Sequence, residues 1–283
     1  MLTNVILDPI LRAALDEDLR SGDLTTEACV SSDRLARAEA VARHELVVCG
    51  GDVFARVFAL LDPRVTFERC LPEGAFAAAG EVAWRVRGPA QSLLMAERVA
   101  LNFAQRMCGI ASLARKYALA AAGARVTDTR KTTPGLRVLE RYAVRTGGAH
   151  NHRDNLGSAV MIKDNHIVAA GGIGTAVERA RARAPHTSRI EVEVKTLAEL
   201  EQALDARADI VMLDNMDTPT ISLAIARCRS VGRPPHGPIV EVSGGVTLAR
   251  IPELVATGVD VISVGALTHS AKAADIALEL YDA

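Results

Sequence analysis

Residues 189–215 read RIEVEVKTLAELEQALDARADIVMLDN. A β-branched run, Ile190-Glu191-Val192-Glu193-Val194, gives way to apolar residues at helical spacing over 197–206. A second β-rich run over 209–213 then stops at Asp214-Asn215. Strand, helix and strand within so few residues describe a parallel pair joined by a crossover helix. The same texture extends both ways. Further β-rich runs fall at 125–129, 159–163, 239–242 and 260–264, with helical periodicity at 173–184, 218–230 and 248–256. Six such units predict an α/β fold with a closed or nearly closed β/α barrel; periodicity alone does not separate it from a doubly wound sheet.

Polar residues collect at the ends of these strands. Lys163 ends one, Glu191 and Glu193 lie in the next, and Asp214-Asn215 end a third. Ser243-Gly244-Gly245 and Ser263-Val264-Gly265 end the last two. In β/α barrels the site is built at the C-terminal strand ends from several strands at once, so five consecutive polar or glycine termini predict one shared site.

Upstream, the front third reads as α+β. A helix over 8–20 is expected to start at Asp8-Pro9, with strands within 36–48, a helix over 53–61, and strands at 65–70 and 82–86. A long helical pattern over 89–121, interrupted near Gly109, is expected to connect two domains, placed at 1–112 and 113–283, with a C-terminal helix packing back on the first.

Composition narrows the function classes. The 283 residues are 49% apolar and 24% charged, which suits a globular protein with a full core. A net charge of −1 lacks the basic surplus of a nucleic-acid binder, and 3% aromatics leave little for stacking on single strands. Five scattered cysteines without a Cys-x-x-Cys pair point to reduced thiols. The first residues lack the basic start and apolar core of a signal peptide, and no run is long enough to span a bilayer. The expectation is a cytoplasmic protein with no membrane or nucleic-acid partner.

Against that even balance, 128–166 gathers seven Arg or Lys (Arg130, Lys131, Arg137, Arg141, Arg145, Arg153, Lys163) and three His (His150, His152, His166). Cations concentrated beside apolar strands suit an anionic ligand, because the Arg fork pairs with carboxylate or phosphate and Lys adds a compact charge. Lys163 alone also fits a Schiff-base lysine, although so many permanent cations favour anion binding. The histidines alone also fit a transition-metal site, although His-x-His lacks a third ligand at fixed spacing. The Ser243-Gly244-Gly245 and Gly265 turns fit a phosphate cradle, or else two ordinary turns that need glycine for shape. Glu193 and Asp214 fit a hydrated divalent cation or ribose hydroxyls, or else ion pairs with Lys163 or Lys195. Arg98, beside Glu97 on a helix, reads from spacing as a solvated face.

Taken together, the motifs resemble the quinolinate phosphoribosyltransferase family. The likeness runs from about Glu17-Asp18, with Gly22-Asp23-Leu24-Thr25-Thr26, through Ala96-Glu97-Arg98, Gly109-Ile110-Ala111, Asp128 to Gly135 and Asn151-His152-Arg153. It continues through Ile162-Lys163-Asp164-Asn165-His166, Glu191-Val192-Glu193-Val194, Leu213-Asp214-Asn215-Met216 and Ser243-Gly244-Gly245 to Thr268-His269-Ser270. The resemblance implies an N-terminal α/β sandwich, an incomplete β/α barrel, and a homodimer with shared active sites. It implies transfer of phosphoribosyl from phosphoribosyl pyrophosphate to quinolinate with decarboxylation. Arg130, His152 and Arg153, with Arg98 from the partner, would bind the quinolinate carboxylates. Lys131 and Lys163 would neutralise carboxylate and pyrophosphate charge. Glu193 and Asp214 would serve ribose hydroxyls and magnesium (Mg2+), and Ser243, Gly244, Gly245, Ser263 and Gly265 would hold the 5′-phosphate. Asn155-Leu156-Gly157-Ser158 departs from the family's Gly-Leu-x-Asp, and Cys108 stands where serine is common. The first departure is expected to bear on how the loop behind Arg153 is aimed.

Overall fold

The computed structural model describes residues 2–234 and 236–283, which form two compact units. The first comprises Met1–Arg115, Thr132–Gly148 and Leu267–Ala283, and the second Lys116–Lys131 and Ala149–Ala266. The chain opens with α1 (Asn4–Leu19), α2 (Leu24–Cys29), β1 (Leu35–Ala42), β2 (Leu46–Val47) and α3 (Gly51–Leu61). Then come β3 (Thr66–Arg69), β4 (Phe76–Ala77), β5 (Val82–Pro89) and α4 (Ala90–Ala120). Next follow β6 (Arg125–Thr127), α5 (Arg137–Thr146), β7 (Val160–Ile162), α6 (Asp164–Ala170), α7 (Ile173–Arg183), β8 (Ile190–Val194) and α8 (Leu197–Asp205). The chain closes with β9 (Ile210–Asp214), α9 (Thr218–Val231), β10 (Ile239–Ser243), α10 (Ile251–Ala256), β11 (Val261–Ser263), α11 (Ala266–His269) and β12 (Ile276–Asp282).

In the first unit an antiparallel sheet runs in the order β12-β1-β5-β3. Helix α3 buries Val53, Phe54, Val57 and Phe58, two adjacent pairs one turn apart. Phe54 stacks on the fully buried Trp84 of β5 with ring centroids 5.0 Å apart. Burying each such aromatic is worth roughly 2–3 kcal/mol, so this cluster is a main source of the unit's stability.

Three expectations need correction here. Helix α1 starts at Asn4 rather than at Asp8-Pro9 because the apolar stripe Leu7, Leu11, Leu15 begins earlier. Asp8 is not a cap; it accepts Arg56 Nε at 2.8 Å and Nη2 at 2.6 Å. Helix α4 is unbroken at Gly109. Glycine is there because a Cβ would lie 2.0 Å from the Lys272 carbonyl, a close approach sealed one turn earlier by the Ala274 amide donating to the Gln105 carbonyl at 2.8 Å. The last element is a strand, not a helix. Ile276, Leu278 and Leu280 recur at period two, and β12 pairs along β1 from Ala42↔Ile276 to Ala36↔Asp282.

The unit boundaries also differ from a single cut at 112. Buried Glu140 on α5 accepts Arg106 Nη2 at 2.7 Å and the Thr133 amide at 3.1 Å, while Arg106 Nη1 donates to the Ala271 carbonyl at 2.8 Å. A buried carboxylate needs such a cation, which ties 132–148 and 267–283 to α4.

The second unit is a six-stranded parallel sheet in the order β6-β11-β10-β9-β8-β7, each joined in register with its neighbour. All five residues of β8 are buried, as expected of a strand covered on both faces. Caps set the crossover helices: the Thr196 hydroxyl accepts the Glu199 amide, and Asp217 accepts the Thr220 amide. Among the described residues no helix is long and apolar enough to cross a membrane.

Candidate active site

Register places the strand ends level with one another. Asp214 pairs with Ser243, and Ser263 with Thr127. On β8, alternation sends Ile190, Val192 and Val194 to one face and Glu191 and Glu193 to the other. A cavity of about 430 Å³ opens at these ends, lined by Thr129, Arg130, Lys131, His152, Arg153, Met161, Lys163, Glu193, Met212, Asp214, Ser243, Gly244 and Ser263. It brings together ten of the thirteen residues singled out from sequence. Gly245 and Gly265 follow in the same turns but are not in its lining. Arg98 lies exposed on α4, in the first unit. Of the seven clustered cations, Arg137, Arg141 and Arg145 sit on α5, also in the first unit.

The cationic side of the cavity rests on Asp128, which is fully buried. Its carboxylate accepts Asn151 Nδ2 at 2.5 Å and the His152 amide at 2.7 Å. Its own amide donates to the His150 carbonyl at 3.1 Å, and the His150 amide donates to Val126 at 2.8 Å. His150 is therefore tied to β6 by the parallel Thr127↔His150 bridge, and Asn151 and His152 follow it onto Asp128. Burial, and after it the neighbouring Arg130, push the Arg153 guanidinium down from its usual value. Behind Arg153, the departing Asn155–Ser158 loop makes its own turn. Ser158 Oγ accepts the amides of Asp154 at 2.9 Å and Asn155 at 3.2 Å, and Asn155 Oδ1 accepts the Gly157 amide at 2.9 Å.

The anionic side is Glu193 and Asp214. Lys163 Nζ is hydrogen-bonded to Glu193 Oε2, so one of the ion pairs left open by sequence is formed. Lys195 instead pairs with Asp164 at 2.6 Å. Gly244, at φ +83°, passes so close to β9 that a Cβ would lie 2.8 Å from the Asn215 amide nitrogen. Asn215 is itself left-handed at φ 55°. The two turns thus interlock, and glycine here is a packing requirement as well as an open backbone. Ser263 Oγ is buried and lacks a hydrogen-bond partner, a polar atom left facing the ligand space.

Sequence reading passed over what lies deepest. His152 Nε2 sits 3.4 Å from both Glu191 Oε2 and Glu241 Oε1. Both carboxylates are 3% exposed, so each needs a nearby positive or hydrogen-bearing partner. Burial alone would lower the imidazole, but the two carboxylates outweigh it and raise it, while burial raises Glu191. The Arg153 amide donates to His152 Nδ1 at 2.7 Å. Nδ1 must be bare to accept it, so the ring hydrogen is on Nε2, facing the two carboxylates. These three also cluster tightly enough for a metal, but a histidine ligating through Nε2 would carry its hydrogen on Nδ1, against that contact. His166 cannot join them as a ligand set, since its Nδ1 accepts the Lys163 amide at 3.0 Å and caps α6. A hard divalent cation fits Glu193 and Asp214 better, two oxygen donors that face one cavity.

Family comparison agrees along the chain. Residues 23–108 match the N-terminal domain of quinolinate phosphoribosyl transferase, and residues 110–279 its C-terminal domain. The chain belongs to the quinolinate phosphoribosyl transferase family. Among relatives, it is 42% identical over 280 residues to a probable nicotinate-nucleotide pyrophosphorylase [carboxylating] of Synechocystis sp., covering 98% of this chain and 93% of that protein. The human nicotinate-nucleotide pyrophosphorylase [carboxylating] is 41% identical over 288 residues, covering 98% and 94%. The crystal structure of NadC from Streptococcus pyogenes superposes with a TM-score of 0.92 at 42% identity, over 99% of this chain and 98% of that one. The two-domain fold of the quinolinate phosphoribosyl transferases, an antiparallel α+β domain and a barrel-like parallel one, is therefore the fold of this chain.

Proposed function

We propose that this quinolinate phosphoribosyl transferase joins quinolinate to phosphoribosyl pyrophosphate, releasing pyrophosphate and carbon dioxide and leaving nicotinate mononucleotide, a step of NAD biosynthesis. The observation that carries the reading is the composition of one cavity: Arg130, Lys131, His152, Arg153 and Lys163 together with Glu193 and Asp214, above a Ser-Gly turn. Such a mixture suits a substrate pair rich in carboxylate and phosphate whose reacting carbon becomes positive.

Arg130 and Arg153 take the two pyridine carboxylates through paired N–H donors, and Lys131 adds charge beside them. The pyridine nitrogen displaces pyrophosphate from the ribose C1 carbon. Glu193 and Asp214 stabilise the positive charge that develops there and accept from the ribose hydroxyls, while Lys163 bears charge on the departing pyrophosphate. A magnesium ion held by Glu193 and Asp214 would supply further neutralisation of that leaving group. Once the ring nitrogen is bonded to ribose, its positive charge stabilises the electron pair left on the adjacent ring carbon as carbon dioxide leaves, and that carbon then takes a proton from water to give the product. No protein nucleophile is required. Ser243, Gly244 and Ser263, with Gly245 and Gly265 beyond them, receive the 5′-phosphate.

The proposal includes a homodimer in which exposed Arg98 completes the partner's site. Mixing an Arg98→Ala chain with a Lys163→Ala chain should then restore part of the activity that each lacks alone, read as product formed by the mixture. The reaction itself is tested with quinolinate, phosphoribosyl pyrophosphate and magnesium, following nicotinate mononucleotide and carbon dioxide, with nicotinate replacing quinolinate in parallel. Product from quinolinate alone supports the reading. Product from nicotinate alone would move the specificity away from two carboxylates, and product from neither would overturn it.

A further inference from the structure

We infer that Glu191 and Glu241, which line no part of the cavity themselves, are positioning residues that aim its carboxylate-binding arginine by clamping His152. The inference deepens the proposed reaction and rests on it for the identity of the substrate.

The chain of contacts is short. Glu191 on β8 and Glu241 on β10 face His152 Nε2 from two strands, each at 3.4 Å. Glu191 faces the ring through Oε2 and Glu241 through Oε1, and among the described residues nothing else hydrogen-bonds to Glu241 Oε1 or to the second Glu191 oxygen, Oε1. With its hydrogen drawn to that side, the ring presents a bare Nδ1 to the Arg153 amide at 2.7 Å. The Arg153 backbone is thereby fixed at the point where its side chain leaves for the cavity. These contacts make His152 a link between the barrel interior and Arg153. Charge adds a second reason for two carboxylates. The cavity gathers more cations than Glu193 and Asp214 offset, and a pair of buried acids beneath it lets those cations sit together in the absence of ligand.

The test compares Glu191→Gln, Glu241→Gln, Glu191→Met and Glu241→Met with the wild type. Glutamine keeps an oxygen acceptor for the Nε2–H and methionine keeps only volume. Each Met variant should raise the KM for quinolinate about tenfold, leave that for phosphoribosyl pyrophosphate within about twofold, and be rescued most of the way by the Gln variant. Equal damage by Gln and Met, or a parallel rise in both KM values, would overturn the clamp. Long-range nitrogen-15 to proton spectra of the wild type give a readout free of turnover and of any variant's folding. They should show His152 with hydrogen on Nε2 and a bare Nδ1, and a proton on Nδ1 would defeat the inference outright. If the wild type gives the expected tautomer yet turns over no quinolinate, the reaction reading has failed while the clamp has not.

Discussion

Replacing Lys163 with alanine is expected to lower kcat by about a thousandfold, the scale lost when one preorganised charge at a developing anion is removed. Lys163 follows β7 directly, lines the cavity, and is bonded to Glu193 of the neighbouring strand. The change removes the leaving-group cation and strands a carboxylate that is 9% exposed. Because the Lys163 side chain is 42% exposed, the stability loss should stay near about 1–2 kcal/mol, well below that of a fully buried pair. Lys163→Arg should keep the fold but recover only part of the rate, since the planar fork does not reproduce a point charge. Steady-state product formation and a thermal melt separate the two effects. A variant folded as before and retaining more than about a tenth of the wild-type kcat would remove Lys163 from the chemistry. The Lys163 amine is engaged by Glu193 rather than held alone among apolar groups, so borohydride with a carbonyl substrate should trap no adduct.

The largest stability effect is expected at Asp128. Alanine there removes the carboxylate that accepts the Asn151 side-chain amide and the His152 backbone amide. Buried donors left unmade cost about 1–3 kcal/mol each, so Asp128→Ala should lose about 3–4 kcal/mol in denaturant unfolding. Asp128→Asn keeps the volume and one acceptor oxygen but turns an N–H2 towards a neighbouring donor, and should lose about half as much. Activity should fall further than stability in the asparagine variant, because the segment carrying His152 and Arg153 hangs from this carboxylate. A change below about 1 kcal/mol for the alanine variant would mean that β6 alone holds the segment.

The barrel-like unit was legible from sequence because each parallel strand is a short apolar run bounded by a helix of clear period, and all six lie where the texture places them. Lys163, Glu193, Asp214, Ser243 and Ser263 were legible for the same reason: a polar residue at the end of a buried strand has few other uses. Glu241 carried a comparable signal, a charge in the middle of Ile239-Val240-Glu241-Val242-Ser243, and went unread because its partner His152 lies far away in the chain. Asp128 likewise shows its purpose only once His150 is tied to β6. The return of 132–148 and 267–283 to the first unit depends on long-range pairs, Glu140 with Arg106 and β12 with β1, and local periodicity carries no such information. Arg98 remained a surface residue by every local criterion, and only the likeness to a family raised it.

The pairing of β12 with β1 has a consequence for how the protein is made. A ribosome delivers β1 early and the strand that completes its sheet last, so during translation the first unit carries an unpaired edge along Leu35–Ala42. The barrel strands emerge in between and can associate among themselves while that edge waits. Order of synthesis and order of completion are thus reversed: the unit begun first is closed last, and nascent chains are most open to wrong partners at the front of the molecule.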